Sequence, residues 1–392
     1  MPSAVGQEFQ ILYSFSYNSG PFGGVIFDTA GNLYGTTSYG TTFSGTVYEL
    51  SPQTGGGWTE TTLHSFNDNS DDGYQPYAGL AMDSAGNLYG TTRVGGDHGE
   101  GTVFELTPGA DGTWTETILH SFGSSSADGT YPYSTPALDS AGNLYGTTFE
   151  GGTGGNNGTV FKLARGPNGW EEKVIHTFAP NAAGDGGYNP YAGVILDASG
   201  NLYGTTTSCS CSYANRGTVF ELKLNANGTY AEEVLHYFYS NGVDGYDPVA
   251  SLVFDAKGNL YGTTSEGGSF GAGTVFELSP TSSGKWREKI LHNFTNNGTD
   301  GVGPAASVTF DMSGNLYSTT VGGGPQEYGT VFELTPTGTG TWNETILYSF
   351  VDGGGNGDDP SSPITLDALG NLYSTALGGG ANGGGNVFEI TP

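Results

Sequence analysis

The stretch Asp83-Ser84-Ala85-Gly86-Asn87-Leu88-Tyr89-Gly90-Thr91-Thr92 recurs, nearly unchanged, seven times along the chain. Its copies begin at Asp28, Asp83, Asp139, Asp197, Asp255, Asp311 and Asp367, so successive copies lie 55 to 58 residues apart. A fixed period of this size marks a repeat architecture, in which one small unit buries its apolar face against the next. The stretch itself reads as a hairpin. Asp83 offers a side-chain acceptor at the start of a turn, Gly86 supplies a left-handed position, and Leu88–Thr92 has the β-branched and aromatic content of a strand.

Around the hairpin, each unit holds four strand signals, named A to D. In the second unit these are A, ending at Asp83; B, the Asn87–Thr92 segment; C, Gly101–Leu106 (GTVFEL); and D, Trp114–Phe122 (WTETILHSF). Each is short and bounded by Gly, Pro, Asn or Asp. Four antiparallel strands repeated seven times predict an all-β, seven-bladed β-propeller forming a single domain over residues 1–392. The blades are about 20–66, 76–122, 132–178, 190–238, 248–294, 304–350 and 360–392. The last unit ends without a D strand, while residues 9–15 (FQILYSF) match D and precede the first A. The N-terminal strand is therefore expected to complete the last blade and close the ring, leaving no open sheet edge at the seam.

The DxxGNLYGTT hairpin, with GTVFEL and a following ILHSF, resembles the repeat of the bacterial "GloVer" tandem-repeat family of secreted propellers, and the hairpin is also similar to that of NHL-type propellers. The likeness covers essentially the whole chain. It implies a secreted propeller and lends no catalytic residues.

Composition narrows the function classes. The net charge is −29, from 39 acidic and 10 basic side chains. Such an excess argues against nucleic acid, whose phosphates need Lys and Arg, and against anionic membrane surfaces. Nine of the ten bases lie between Lys162 and Lys289, and Arg93 stands apart. No apolar run is long enough for a transmembrane helix. The Met1-Pro2-Ser3-Ala4 start reads as one placed after a removed leader, giving an extracellular location as the expectation.

Several repeated residues invite chemistry. An Asp-Gly motif preceding a Pro recurs in the D–A loops, with Asp72, Asp128, Asp185, Asp244 and Asp300. It reads first as a turn, and alternatively as a carboxylate ring for calcium, although one Asp per blade falls short of the six to eight oxygens calcium takes. His64, His120, His176, His236 and His292 hold one place in five D strands, with Tyr13 and Tyr348 in the other two. Blades pack about 10 Å apart, so these rings cannot converge on a metal and are expected to pack between blades. Trp58, Trp114, Trp170, Trp286 and Trp342 open five D strands and are expected to cover the outer blade edge, or alternatively to stack on sugars. Cys209 and Cys211 offer a disulfide or a weak soft-metal site.

An enzyme site needs unlike groups in one place, so the irregular B–C loops are the candidates. Arg93, His98 and Glu100, with Tyr328 from the sixth blade, form a possible acid–base constellation. Asp97, Glu150, Arg216, Glu266 and Glu327 are candidate ligand contacts. The expected function is a secreted binding or scaffold propeller, taking extracellular glycan or a cell-surface ligand on the face of the D–A and B–C loops. A polysaccharide lyase or hydrolase acting at the channel mouth, and a self-assembling extracellular protein, are the alternatives. No cofactor is required, calcium is possible, and a monomer is expected.

Overall fold

The computed structural model describes residues 7–40, 44–68, 72–179, 186–209, 215–351 and 355–391. They form seven four-stranded antiparallel sheets arranged as the blades of a propeller. In the second blade the strands are A (Ala81–Met82), B (Leu88–Thr92), C (Thr102–Pro108) and D (Trp114–Ser121), hydrogen-bonded in that order. Among the described residues no helix is long and apolar enough to cross a membrane.

The hairpin has the predicted chemistry. Asp83 Oδ1 accepts the Ala85 and Asn87 backbone N–H groups at 2.9 Å, and Oδ2 accepts the Asn87 side-chain amide and the Tyr89 hydroxyl. Gly86 sits at φ +84°, and its N–H returns to the Asp83 carbonyl. One carboxylate thus organises a whole turn, and the same set recurs at Asp28, Asp139, Asp197, Asp255, Asp311 and Asp367. In strand B, Gly90 is required by packing: a Cβ there would overlap the Phe104 ring of strand C.

The core lies between blades. Each seam interleaves the fully buried Leu and Phe of one blade's B and C strands with the Val and Phe of its neighbour, as Val103 and Phe122 meet Leu144 and Phe161. Closer to the axis, the Thr91 hydroxyl donates to the Ser134 carbonyl of the next blade, and its counterparts do the same around the ring. At the ring closure Thr375 donates to the Pro21 carbonyl at 2.9 Å.

Closure follows the sequence reading. The N-terminal strand Glu8–Ser14 pairs antiparallel with Asn386–Thr391, completing the sheet of the last blade.

One feature was not predicted. Every D strand carries a β-bulge at the same Leu or Ile position. In the second blade Val103 opposes His120 and Phe104 opposes Ile118, leaving Leu119 as the extra residue. The shift recurs in the six other blades, including the N-terminal strand at Leu12. A bulge sets two consecutive side chains on one side of the strand. Trp114 and Ile118 therefore pack toward the first blade, whereas Leu119 packs toward the third.

Candidate functional site

The loops of the D–A and B–C face are held by a repeated backbone device. Each D–A loop ends in a Pro, and the residue before it is left-handed: Gln75, Tyr131, Asn189, Asp247 and Asp359 have φ between +50° and +59°, with Gly20 and Gly303 in the other two blades. Non-glycine residues rarely adopt this region, and where they do the surroundings fix them. Here two bonds do so. The Tyr131 N–H donates to the Glu100 carbonyl of the preceding blade at 2.9 Å, and its carbonyl accepts the Phe149 N–H just past strand B at 3.0 Å. Gln75, Asn189, Asp247 and Asp359 repeat both bonds.

The residue after that Pro lies four residues before strand A and lines the mouth of a central channel of about 300 Å³. In the first four blades it is Phe22, Tyr77, Tyr133 and Tyr191, and in the last three Val249, Ala305 and Ser361. Half of the mouth is thus aromatic and half small. The rings touch in series, with centroids 4.7 Å (Phe22–Tyr77), 5.7 Å (Tyr77–Tyr133) and 4.9 Å (Tyr133–Tyr191) apart, the last pair stacked. Tyr39 adds a hydroxyl–hydroxyl bond to Tyr77. Arg93 lies in this arc: its Nε donates to the Tyr133 hydroxyl at 2.5 Å and Nη1 to Gln75 Oε1 at 3.2 Å. Its guanidinium is 5.5 Å and 5.6 Å from the Tyr131 and Tyr133 rings. Burial pushes the Tyr77 and Tyr191 hydroxyls up from the usual phenol range.

The residues proposed for acid–base work do not gather at this mouth. Arg93 is there, but His98 and Asp97 border a separate hollow against strand D, lined also by His120 and Ser124. Glu100 flanks Gly123 beside His98, and its carboxylate faces Tyr131. Tyr328, on the sixth blade, packs against the core of the sixth and seventh blades. Of the candidate ligand contacts, Arg216 lies over the Tyr246 ring at 4.9 Å and 3.8 Å from Asp247. Burial, then the nearby Glu266, pushes the Asp247 carboxyl up against the pull of Arg216. Glu150 accepts a bond from Asn156, and Glu327 is left-handed at φ +68°. Cys209 is buried and disulfide-bonded, and Cys211 lies outside the described residues.

The loop Asp residues and the strand D His residues, treated separately in the sequence, come together. His64 Nε2 is 3.5 Å from Asp72 Oδ2 and 3.5 Å from Glu116 Oε2 of the next blade. The same threesome forms from His120, Asp128 and Glu172; from His236, Asp244 and Glu288; and from His292, Asp300 and Glu344. The His rings do not meet one another, as expected, but these four each meet two carboxylates, which was not. His176 and Glu232 repeat the pair at 3.5 Å, while Asp185 lies outside the described residues. Each Asp also closes its own loop, as when Asp300 Oδ2 accepts the Thr295 N–H and hydroxyl. Burial lifts the carboxyls of Glu116, Glu172, Glu232, Glu288 and Glu344 to about 7. The Trp side chains are half-buried nearby, Trp114 packing beside Tyr34 across the seam.

The model of the Gloeobacter/Verrucomicrobia repeat matches residues 2–208 and 110–308. The chain belongs to this family. As a Gloeobacter/Verrucomicrobia repeat protein it matches no curated protein. Solved structures share its fold. A putative 6-phosphogluconolactonase from Bacteroides uniformis is 14% identical, with a TM-score of 0.56 and 89% of each chain covered. The extracellular domain of a putative hybrid two-component system from B. thetaiotaomicron is 12% identical, with a TM-score of 0.57, 97% of this repeat protein covered and 39% of that chain.

Proposed function

We propose that this propeller is an extracellular binding module that takes a neutral glycan across the aromatic half of its channel mouth. The observation that carries the reading is the arc Phe22–Tyr77–Tyr133–Tyr191, present in four adjacent blades and replaced by small residues in the other three. Aromatic faces stack on the apolar C–H faces of sugar rings, and tyrosine hydroxyls with Arg93 supply polar contacts at the rim. At about 300 Å³ the channel is at the small end of ligand pockets, so the ligand lies over the mouth rather than through the ring. The net charge of −29 disfavours polyanionic glycans. The Cys209 disulfide suits an oxidising compartment, which supports secretion.

A glycan array, followed by calorimetry on hits, tests the proposal. Tyr133→Ala and Tyr191→Ala are each expected to weaken binding about fivefold or more, in line with the roughly 1–3 kcal/mol an aromatic stacking partner supplies. Binding that survives the double variant would remove the mouth from the account. Turnover of a bound polysaccharide in a parallel reducing-sugar assay would convert the module into an enzyme.

A further inference from the structure

We propose that the seams between blades bind divalent transition-metal ions of the zinc class, one ion to each His–Asp–Glu threesome. Four such sites occur among the described residues: His64, Asp72 and Glu116; His120, Asp128 and Glu172; His236, Asp244 and Glu288; His292, Asp300 and Glu344.

Distance carries the argument. The His Nε2 atoms lie 3.3 to 3.6 Å from the nearest oxygens of their Asp partners, and 3.4 to 3.5 Å from those Glu oxygens measured at three of the seams. N–H···O bonds are about 2.7–3.2 Å long, so these are poor hydrogen bonds. Ligand atoms around a tetrahedral ion with bonds of about 2.0–2.1 Å are separated by about 3.3 Å, which these spacings match.

Unsatisfied atoms point the same way. Nε2 of His64, His236 and His292 is buried without a hydrogen-bond partner, as is one oxygen of Glu116, Glu288 and Glu344. The Asp72 and Asp244 side chains are only 6% and 8% exposed, yet each keeps a buried Oδ1 without a partner. Buried polar atoms are nearly always paired, and the full orphaned set at the His64 and His236 seams, with its His and Glu at the His292 seam, calls for an occupant; at the second seam Glu172 alone keeps an unpartnered oxygen, and His120 Nε2 lies 3.4 Å from Asp128 Oδ1. One imidazole with two carboxylates suits zinc and its neighbours; calcium needs more oxygens than three side chains supply.

Among the described residues, the two seams without a His at this position hold no threesome. Between the sixth and seventh blades the His position is Tyr348 and the Glu position is Phe9, and the two rings stack at 3.9 Å. Between the seventh and first blades the His position is Tyr13, whose hydroxyl donates to Glu60 Oε2 at 3.5 Å, so the nitrogen is lost there and the carboxylate kept.

The test uses the full chain, stripped by chelator dialysis, reloaded with zinc in excess magnesium to mask surface carboxylates, desalted, and counted by elemental mass spectrometry. At least four zinc ions per chain are expected, with calcium retained at less than one. Glu116→Gln combined with Glu288→Gln should lower the zinc count by two. Fewer than four zinc ions, an unchanged count in the double variant, or equal retention of calcium would each overturn the proposal. Should the double variant fail to fold, cobalt substitution of the unaltered protein reads the same geometry. Intense visible bands of a tetrahedral nitrogen–oxygen site support it, and a weak octahedral spectrum or none overturns it.

Discussion

Single residues in this protein are constrained by their neighbours across a seam more than by their own strand. Glu232 shows this best. Burial raises its carboxyl to about 7, and burial likewise holds the facing His176 down to about 4, so the pair is neutral between these values. Below the ordinary carboxyl range Glu232 is protonated whether the chain is folded or not. Between that range and pH 7 only the folded chain holds the proton, so the stability Glu232 provides is lost as pH rises through 7. His176 acts with the opposite sign and lower down: its depressed value costs stability as pH falls from about 6.5 toward 4. Glu232→Gln is expected to flatten the decline in urea-unfolding stability between about pH 6 and about pH 8, a difference of about 1 kcal/mol. An unchanged pH slope would show that Glu232 ionises freely in the folded chain. Gly90→Ala, which drives a methyl into Phe104, is expected to lower stability by about 1–3 kcal/mol in the same measurement.

At the scale of the element, the A–B hairpin and the bulged D strand divide the labour. The hairpin was legible because its signals are local: an Asp acceptor, a Gly three residues on, and a strand that follows at once. Asp83→Ala removes the acceptor for two backbone N–H groups, an amide and a phenol. It is expected to lower stability by about 2 kcal/mol, read as a shift in denaturant midpoint, with the blade still paired. The inter-blade threesomes were not legible, and the bulge is the reason. Glu116 and His120 are four apart, so a regular strand would put them on one face and against one neighbour. The extra residue Leu119 turns His120 to the other side, and Glu116 meets the His of the preceding blade while His120 meets the Glu of the following one. Nothing in ILHSF announces that shift. The aromatic arc was open to reading, since the residue after each loop Pro changes from aromatic to small halfway along the chain. It escaped notice beside the charged loops, which the structure spreads over more than one hollow.

The whole molecule depends on its closure. The last blade joins residues from both ends of the chain, with Ile11 opposite Phe388 and Glu8 opposite Thr391. Removing residues 1–15 would bare the C strand of that blade and expose the core around Phe388 and Ile390. The truncated chain is expected to melt well below the intact one and to associate through the open edge, seen as larger species in light scattering. A monomer of unchanged melting temperature would show that six complete blades suffice.

The stack of Phe9 on Tyr348 has a consequence for assembly. These residues are far apart along the chain, so their contact closes a loop that spans nearly the whole ring. A contact of such long sequence separation forms late and slowly. Phe9 also lies 5.9 Å from Phe350 and 5.5 Å from Phe388, so it packs against three rings at once. The N-terminal strand thus locks one seam by ring stacking and the next through Tyr13 on Glu60, so the two sides of the closing blade are held by different chemistry.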